Sequence, residues 1–330
     1  MGRSSPAPTD SGKVAQWDSA YHAPVLASRV VALLGTAGSV LDCTLGGGGH
    51  TLALLESGVT RVDALDRDPQ AIAEARERLA GFEAEGRFEA HLGNYADVDT
   101  MPSISTKRFA GILLDLGVSS HQVDDPARGF TFREGAPLDM RMGGNGTEDD
   151  AESAADLLNN REEPVLAEIF RTYGDERRAF RLAREVVRRR QNRRFATSDD
   201  LVGAIRGALG PRTGPADFAR LFQAVRIAVN DELSGLERAL PHLRDHLAPG
   251  GTLAVIAYHS GEDRIVKNAL RDWSSECVCP PKQIVCTCRG HALGELLTRK
   301  SITADPEEMA RNPRSRSARL RAFRAWPENA

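Results

Sequence analysis

The sequence predicts a doubly wound α/β domain interrupted by a helical insertion, and three observations lead there. Short apolar runs alternate with helix-like stretches through the first 117 residues. Four consecutive glycines, 46–49, close the first of those runs. The alternation then stops from about Gln122 to Pro215 and resumes afterwards. Strand–helix alternation of this kind folds as a parallel sheet with right-handed crossovers.

The elements follow in order. SVLDCT (39–44) is an apolar run ending at the glycines, and TLALLESG continues it with helical periodicity as far as Gly58. RVDALDRD (61–68) reads as the second strand, and Asp68-Pro69 opens the helix PQAIAEARERLAGF with proline at its first position. A third strand lies within RFEAHLGNYADV, and FAGILLDLG (109–117) is apolar enough to be buried on both faces. In the interruption, AFRLAREVVRRR (179–190) places Ala179, Leu182, Ala183, Val186 and Val187 on one helical face, while Arg181, Arg184 and Arg188, with Arg177 just before the stretch, fall on another. Thr197-Ser-Asp-Asp200 resembles a capping box for the helix DDLVGAIRGAL. FARLFQAVRIAVNDELSGLERAL reads as one long amphipathic helix that Pro241 bends or restarts. Pro249-Gly250-Gly251 turns into the strand TLAVIAYHS, and ELLTRKSI with SARLRAFRAW closes the sheet as an antiparallel pair.

Composition sets the class. The 330 residues are 41% hydrophobic and 27% charged, as in a soluble globular chain long enough for a real core. No apolar run approaches the roughly 20 residues of a membrane span, so no membrane is expected as a partner. Residues 1–16 lack the apolar block of a secretory signal and read as a disordered leader. Five cysteines, four of them crowded near the C-terminus, do not resemble a secreted disulfide framework and point to a reducing cytoplasm.

The glycine run asks for a ligand. A dinucleotide turn reads G-x-G-x-x-G, but a pattern begun at Gly46 or Gly47 puts Thr51 or Leu52 where the third glycine belongs. A nicotinamide cofactor is therefore disfavoured. What remains is a strand ending in Asp42, a glycine loop, a helix, and Asp66 closing the next strand. That spacing suits a small polar ligand lying on the loop with its ribose hydroxyls on a carboxylate.

LDCTLGGGGHT, LDRDPQAI, GILLDLGVSSHQVDDPARGFTF, PLDMRM, FQAVRIAVNDEL, PGGTLAVIAYHSGEDRIVK and NPRSRSARLR together resemble the RsmH (MraW) family, in order from about His22 to Arg321. The resemblance implies a class I S-adenosyl-L-methionine-dependent methyltransferase, with a Rossmann-like sheet and an inserted helical domain. The implied reaction is methylation of N4 of a cytidine in small-subunit (16S) ribosomal RNA. Residues 17–122 and 216–325 would be the methyltransferase domain, and 123–215 the mainly helical, RNA-binding insertion. The family's cofactor contacts fall on Gly48, Gly49, His50, Asp66, Tyr95, Asp115 and Gln122. Departures are small: Cys43 stands where glycine is frequent, Gly261 where leucine is, and Ser301 where proline is usual. The rRNA or the small ribosomal subunit is the implied partner, and a homodimer is left open.

Cytosine N4 is a weak nucleophile, so the site must aim hydrogen-bond acceptors at its amino hydrogens. The Asp/Asn-Pro-Pro-Tyr motif of many amino-methylating enzymes is absent here. The candidates are Asp115 with Ser119 and Ser120, or Tyr258, His259 and Ser260, with His259 reading equally well as a structural histidine. Carbon-5 methylation is less attractive because it requires a cysteine nucleophile. The rival from another class is a noncatalytic RNA-binding ribosome-assembly factor that retains the cofactor pocket.

RRAFRLAREVVRRRQNRR and RNPRSRSARLRAFR are candidate phosphate contacts, although the latter fits an edge strand as well. Phe130 and Phe132 could stack on a base or pack in a core. CVCPPKQIVCTC brings Cys277, Cys279, Cys286 and Cys288 together as two Cys-x-Cys pairs. Its readings are a zinc site, a redox-labile loop or buried thiols, and methyl transfer does not require the metal.

Overall fold

The computed structural model describes residues 17, 24–143, 152–280, 282–283 and 285–327, with the side chains of Ser120 and His121 excepted. The leader expected over 1–16 lies outside the described residues. Seven strands form one sheet: β1 (Ser39–Asp42), β2 (Arg61–Asp66), β3 (Phe88–Leu92), β4 (Phe109–Asp115), β5 (Leu247–Ala257), β6 (Gly294–Leu296) and β7 (Arg319–Ala325). Their order is β3-β2-β1-β4-β5-β7-β6. β1 to β5 run parallel, and β7 lies antiparallel between β5 and β6. From β1 the chain first steps outward through β2 and β3, then returns to the other side of β1 with β4. Such a reversal opens a crevice at the carboxyl ends of β1 and β4, where open α/β sheets bind ligands.

Burial explains the strands. Ile112, Leu113 and Leu114 of β4 and Leu253 to Ile256 of β5 are fully buried, as strands covered on both faces must be. The antiparallel pair expected from ELLTRKSI and SARLRAFRAW is present as β6 and β7. β7 is flanked on both sides, so it is not the edge its alternating arginines suggested. Arg321 instead forms a two-pronged pair with Asp263, at 2.7 and 3.1 Å.

The chain divides into two compact units. The first holds the described residues up to Asp66, then Gln70–Gly117 and those from Leu240 onward; the second holds Arg67–Pro69 and Val118–Ala239. The second is built of helices, chiefly Ala154–Asn160, Glu163–Thr172, Ala179–Arg190, Ser198–Leu209 and Pro215–Asn230. The capping box read at Thr197 and Asp200 starts the fourth of them.

Two expectations change. Residues 216–239 were assigned to the sheet domain, but Phe218, Leu221, Phe222 and Val225 pack into the helical unit's core with Leu166, Phe170, Leu182 and Ile205. Full burial of each such side chain contributes roughly 1.5–3 kcal/mol, enough to decide where a helix belongs. The long helix also breaks, at Asp231 rather than Pro241. Asp231 takes a left-handed φ of 51°, and its carboxylate is held by Ser234 and Arg238. Pro241 lies inside the next helix, Glu232–Asp245. Among the described residues no helix is long and apolar enough to cross a membrane.

Candidate active site

The carboxyl end of β1 supplies the first wall of the site. Asp42 is fully buried, and its carboxylate accepts hydrogen bonds from Thr51 Oγ1 at 2.7 Å and the Thr44 amide at 3.1 Å. The glycine loop then turns through Gly46 (φ 51°) and Gly48 (φ 73°), conformations that L side chains rarely adopt. These two glycines do different things. A Cβ on Gly48 would come within 3.1 Å of Leu79 Cδ1, so the fold itself fills that space. A Cβ on Gly46 would meet nothing within 4 Å. The backbone is thus bare at Gly46, a position outside the expected contact set. Its signal was its place at the head of the four-glycine run rather than any motif.

Asp66 ends β2, and its carboxylate accepts the Gly46 N–H at 2.8 Å. The Gly93 amide donates to the Asp66 carbonyl at 2.9 Å, which sets the loop after β3 beside β2. Tyr95, half-buried, begins a short 3₁₀ turn in that loop, which Asn94 caps. Gly49 and His50 open the helix Gly49–Glu56, whose first amides have no intrahelical partner. His50 is buried, with Nε2 2.8 Å from the Val25 carbonyl. A carbonyl only accepts, so Nε2 carries a proton and Nδ1 faces Asp115 Oδ2 at 3.6 Å, an ion-pair distance.

Asp115, at the end of β4, is the centre of this arrangement. Its amide donates to Thr44 Oγ1 at 2.7 Å, and its Oδ1 accepts the Tyr258 hydroxyl at 2.7 Å. Burial pushes the carboxyl up to about 6; His50 and the Tyr258 hydrogen bond pull it down only in part, and Asp42 and Glu262 push it further up. Burial, with the Asp115 charge beside it, holds the Tyr258 phenol well above its usual range, so it stays a neutral donor. Burial also raises the Cys43 thiol well above its usual range, which keeps it from acting as a thiolate nucleophile.

The remaining candidates separate. His259 caps helix Ser260–Trp273: its Nδ1 accepts the Gly261 amide at 3.2 Å, and its Nε2 lies 3.2 Å from Glu262 Oε1. Glu262 in turn accepts the Tyr258 and His259 amides. The structure therefore gives His259 an architectural task. Ser260 is exposed at the first position of that helix. Ser119 and Gln122 belong to the helical unit, where the Ser119 hydroxyl accepts the Gln122 amide and the Gln122 side chain donates to Asp68 at 3.1 Å. The backbone of Ser120 begins the short helix Ser120–Asp124.

The expected phosphate contacts are partly engaged. Arg188 and Arg189 pair with Glu185, Arg184 with Glu163, and Arg324 with Glu295. Arg177 and Arg181 are exposed and have no partner among the described residues. Phe130 packs against the helical core, whereas Phe132 is 37% exposed with its ring 5.9 Å from that of Phe218. Asp63, Glu89 and His91 also cluster, but Lys107 and Arg61 already occupy their carboxylates. The four late cysteines do converge.

A sheet of this order, with an acid closing each of β1, β2 and β4 around a glycine loop, defines a class I methyltransferase, whose cofactor is S-adenosyl-L-methionine. The loop fits that group: Gly46 leaves open the space a side chain would fill, and Asp66 stands against it. Residues 19–326 match the model of the MraW methylase family, and the chain belongs to that family. It is 64% identical to the ribosomal RNA small subunit methyltransferase H of Gemmatimonas aurantiaca, over 92% of this chain and 95% of that protein. The protein of the same name from Heliobacterium mobile is 44% identical, over 91% of this chain and 97% of its own. An N-methyltransferase from Bradyrhizobium japonicum, solved with S-adenosyl-L-homocysteine, is 10% identical over 91% of this chain and 85% of its own, with a TM-score of 0.37.

Proposed function

We propose that the protein methylates N4 of a cytidine in small-subunit (16S) ribosomal RNA. The compartment implied is the cytoplasm, where that RNA is assembled. The observation that carries the reading is Asp115, a buried carboxylate at the carboxyl end of β4 that accepts the Tyr258 hydroxyl at 2.7 Å and that burial pushes up to about 6. Bound S-adenosyl-L-methionine supplies an electrophilic sulfonium methyl. Gly46, with the amides at the start of helix Gly49–Glu56, would take the donor's amino-acid end; Asp66 would take its ribose hydroxyls, and Tyr95 the face of its adenine.

Asp115 accepts a hydrogen of the N4 amino group. This orients the nitrogen lone pair toward the methyl and opposes its delocalisation into the ring. As N4 becomes cationic it must release a proton. A carboxyl with a value of about 6 is ionised at neutral pH and still basic enough to receive it. His50, with Nδ1 3.6 Å from Asp115 Oδ2, favours the ionised carboxylate that receives that proton. Carbon-5 chemistry lacks its nucleophile, because the Cys43 thiol stays protonated. The assembly-factor reading is weaker for an energetic reason: a protein that only bound RNA would have no use for a carboxyl that burial holds so far above its ordinary range.

Arg177 and Arg181 are the exposed cations of the helical unit with which phosphate binding is proposed. Transfer of labelled methyl to purified small subunits tests the whole reading. The label should elute as N4-methylated cytidine after nuclease digestion. Absence of label, or label on carbon 5, would reject it. Replacing Arg181 with Ala should lower the slope of log affinity against log salt by about 0.7, the value for one single-strand phosphate contact.

A further inference from the structure

Between helix Ser260–Trp273 and β6, the chain makes an excursion from Ser274 to Leu293 with no regular element among its described residues. Structureless connections rarely exceed about a dozen residues unless something else orders them. The ends of the excursion are secured, since the Leu293 amide donates to the Trp273 carbonyl at 2.7 Å. Among the described residues of its interior the large aliphatic side chains lie exposed, Val278 by 41% and Val285 by 70%. Apolar packing does not account for a defined path here.

The sulfurs do. Cys277 Sγ lies 3.8 Å from Cys286 Sγ and 3.8 Å from Cys288 Sγ; Cys286 lies 3.8 Å from Cys279 and 3.5 Å from Cys288. All four sulfurs fall within 4.8 Å of one another. A zinc ion bonded to four thiolates at about 2.3 Å with tetrahedral angles sets its sulfurs about 3.8 Å apart. A disulfide would need about 2.05 Å. The spacing also suits the sequence: outside a helix, residues i and i+2 can face the same way, so two Cys-x-Cys pairs meeting face to face supply two ligands each. The Val278 amide donates to Cys288 Sγ at 3.4 Å, the kind of outer hydrogen bond that orients a metal-bound thiolate. Arg289, next to Cys288, is anchored on the carbonyls of Asp272, Ser275 and His291, which sets a cation beside what would be a doubly negative centre.

We propose that Cys277, Cys279, Cys286 and Cys288 hold one zinc ion in a closed site that orders residues 274–293. Four sulfur ligands leave no open coordination position, so the metal organises the loop and takes no part in methyl transfer.

The test uses the untagged full-length protein, purified without chelator and analysed for metals. The expected result is about one zinc per chain, with iron absent. After chelation, cobalt(II) added in its place should produce the thiolate-to-metal charge-transfer and visible bands of a tetrahedral four-sulfur site. Trypsin should cut after Lys282 and Arg289 several-fold faster in the chelated protein than after zinc is restored. The double variant Cys286→Ser/Cys288→Ser should lose the stoichiometric zinc. Stable protein without zinc, iron in its place, sulfurs joined as disulfides, or zinc retained by the double variant would each overturn the proposal. The metal and cobalt readings on the unaltered chain stand even if the variant fails to fold, and none of them depends on methyl transfer.

Discussion

Two aspartates on one sheet meet opposite fates. Asp63, within β2, is almost fully buried, yet its carboxylate faces Lys107 at 2.6 Å, His91 at 3.3 Å and Arg61 at 3.3 Å. Burial alone would raise it, but hydrogen bonds from His91, Lys107 and Arg61 more than cancel that effect and hold it well below the usual carboxylate range. Asp115, at the end of β4, meets the Tyr258 phenol at 2.7 Å and the His50 imidazole at 3.6 Å, and burial wins. The same residue type is thus driven in opposite directions by its surroundings, down at Asp63 and up at Asp115.

Four substitutions test that contrast, beginning with the largest effect. Asp115→Ala should reduce kcat for methyl transfer by at least about a thousandfold, since it removes both the acceptor and the orienting group; single-turnover transfer at saturating donor measures it, and near-normal turnover would refute the assignment. Asp63→Ala should leave kcat per folded molecule unchanged but cost roughly 2–3 kcal/mol in urea unfolding, the lower end for a broken buried pair because Lys107 and Arg61 can reach solvent. The pH dependences should oppose each other. Asp63 has a depressed value, so its contribution is present above the unfolded value of about 4 and is lost as pH falls through the folded one. Asp115 has a raised value, so its contribution is full below about pH 4 and lost as pH rises through about 6. Asp115→Asn should therefore be inactive and yet more stable than the parent at pH 7.5, by on the order of 2 kcal/mol; urea midpoints at pH 5 and 7.5 show whether the gain grows with pH as required. The smallest effect is expected from Tyr258→Phe. Without the phenol donor the Asp115 carboxyl rises further, moving the acid limb of the kcat/KM profile up by about one pH unit and lowering the rate near pH 6 about fivefold.

Much of the fold was legible in the sequence, because its signals are local. The apolar runs of β1, β2, β4 and β5, the proline opening helix Pro69–Arg78, and the Thr197–Asp200 box each act within a few residues. The break at Asp231 was not legible, since apolar spacing continues across it from Val229 to Leu236 and only the backbone angle interrupts the helix. Nor was the home of helix Pro215–Asn230, because an amphipathic stripe says that it is buried but not against which core. In the site, the positions of Asp66 and Asp115 followed from their places at strand ends. The Asp115–Tyr258 bond joins residues 143 apart in the chain, and no spacing rule reaches that far. His259 drew attention as an imidazole near the site, while its capping geometry depends on the turn it closes.

β7 lies inside the sheet, although it is made after the other six strands. Until Arg319–Ala325 has emerged during synthesis, β5 carries a bare row of amides and carbonyls along one side, and β6 has no neighbour at all. From the completion of β5 at Ala257 until β7 is made, the nascent chain therefore carries an open edge that is vulnerable to pairing with other strands.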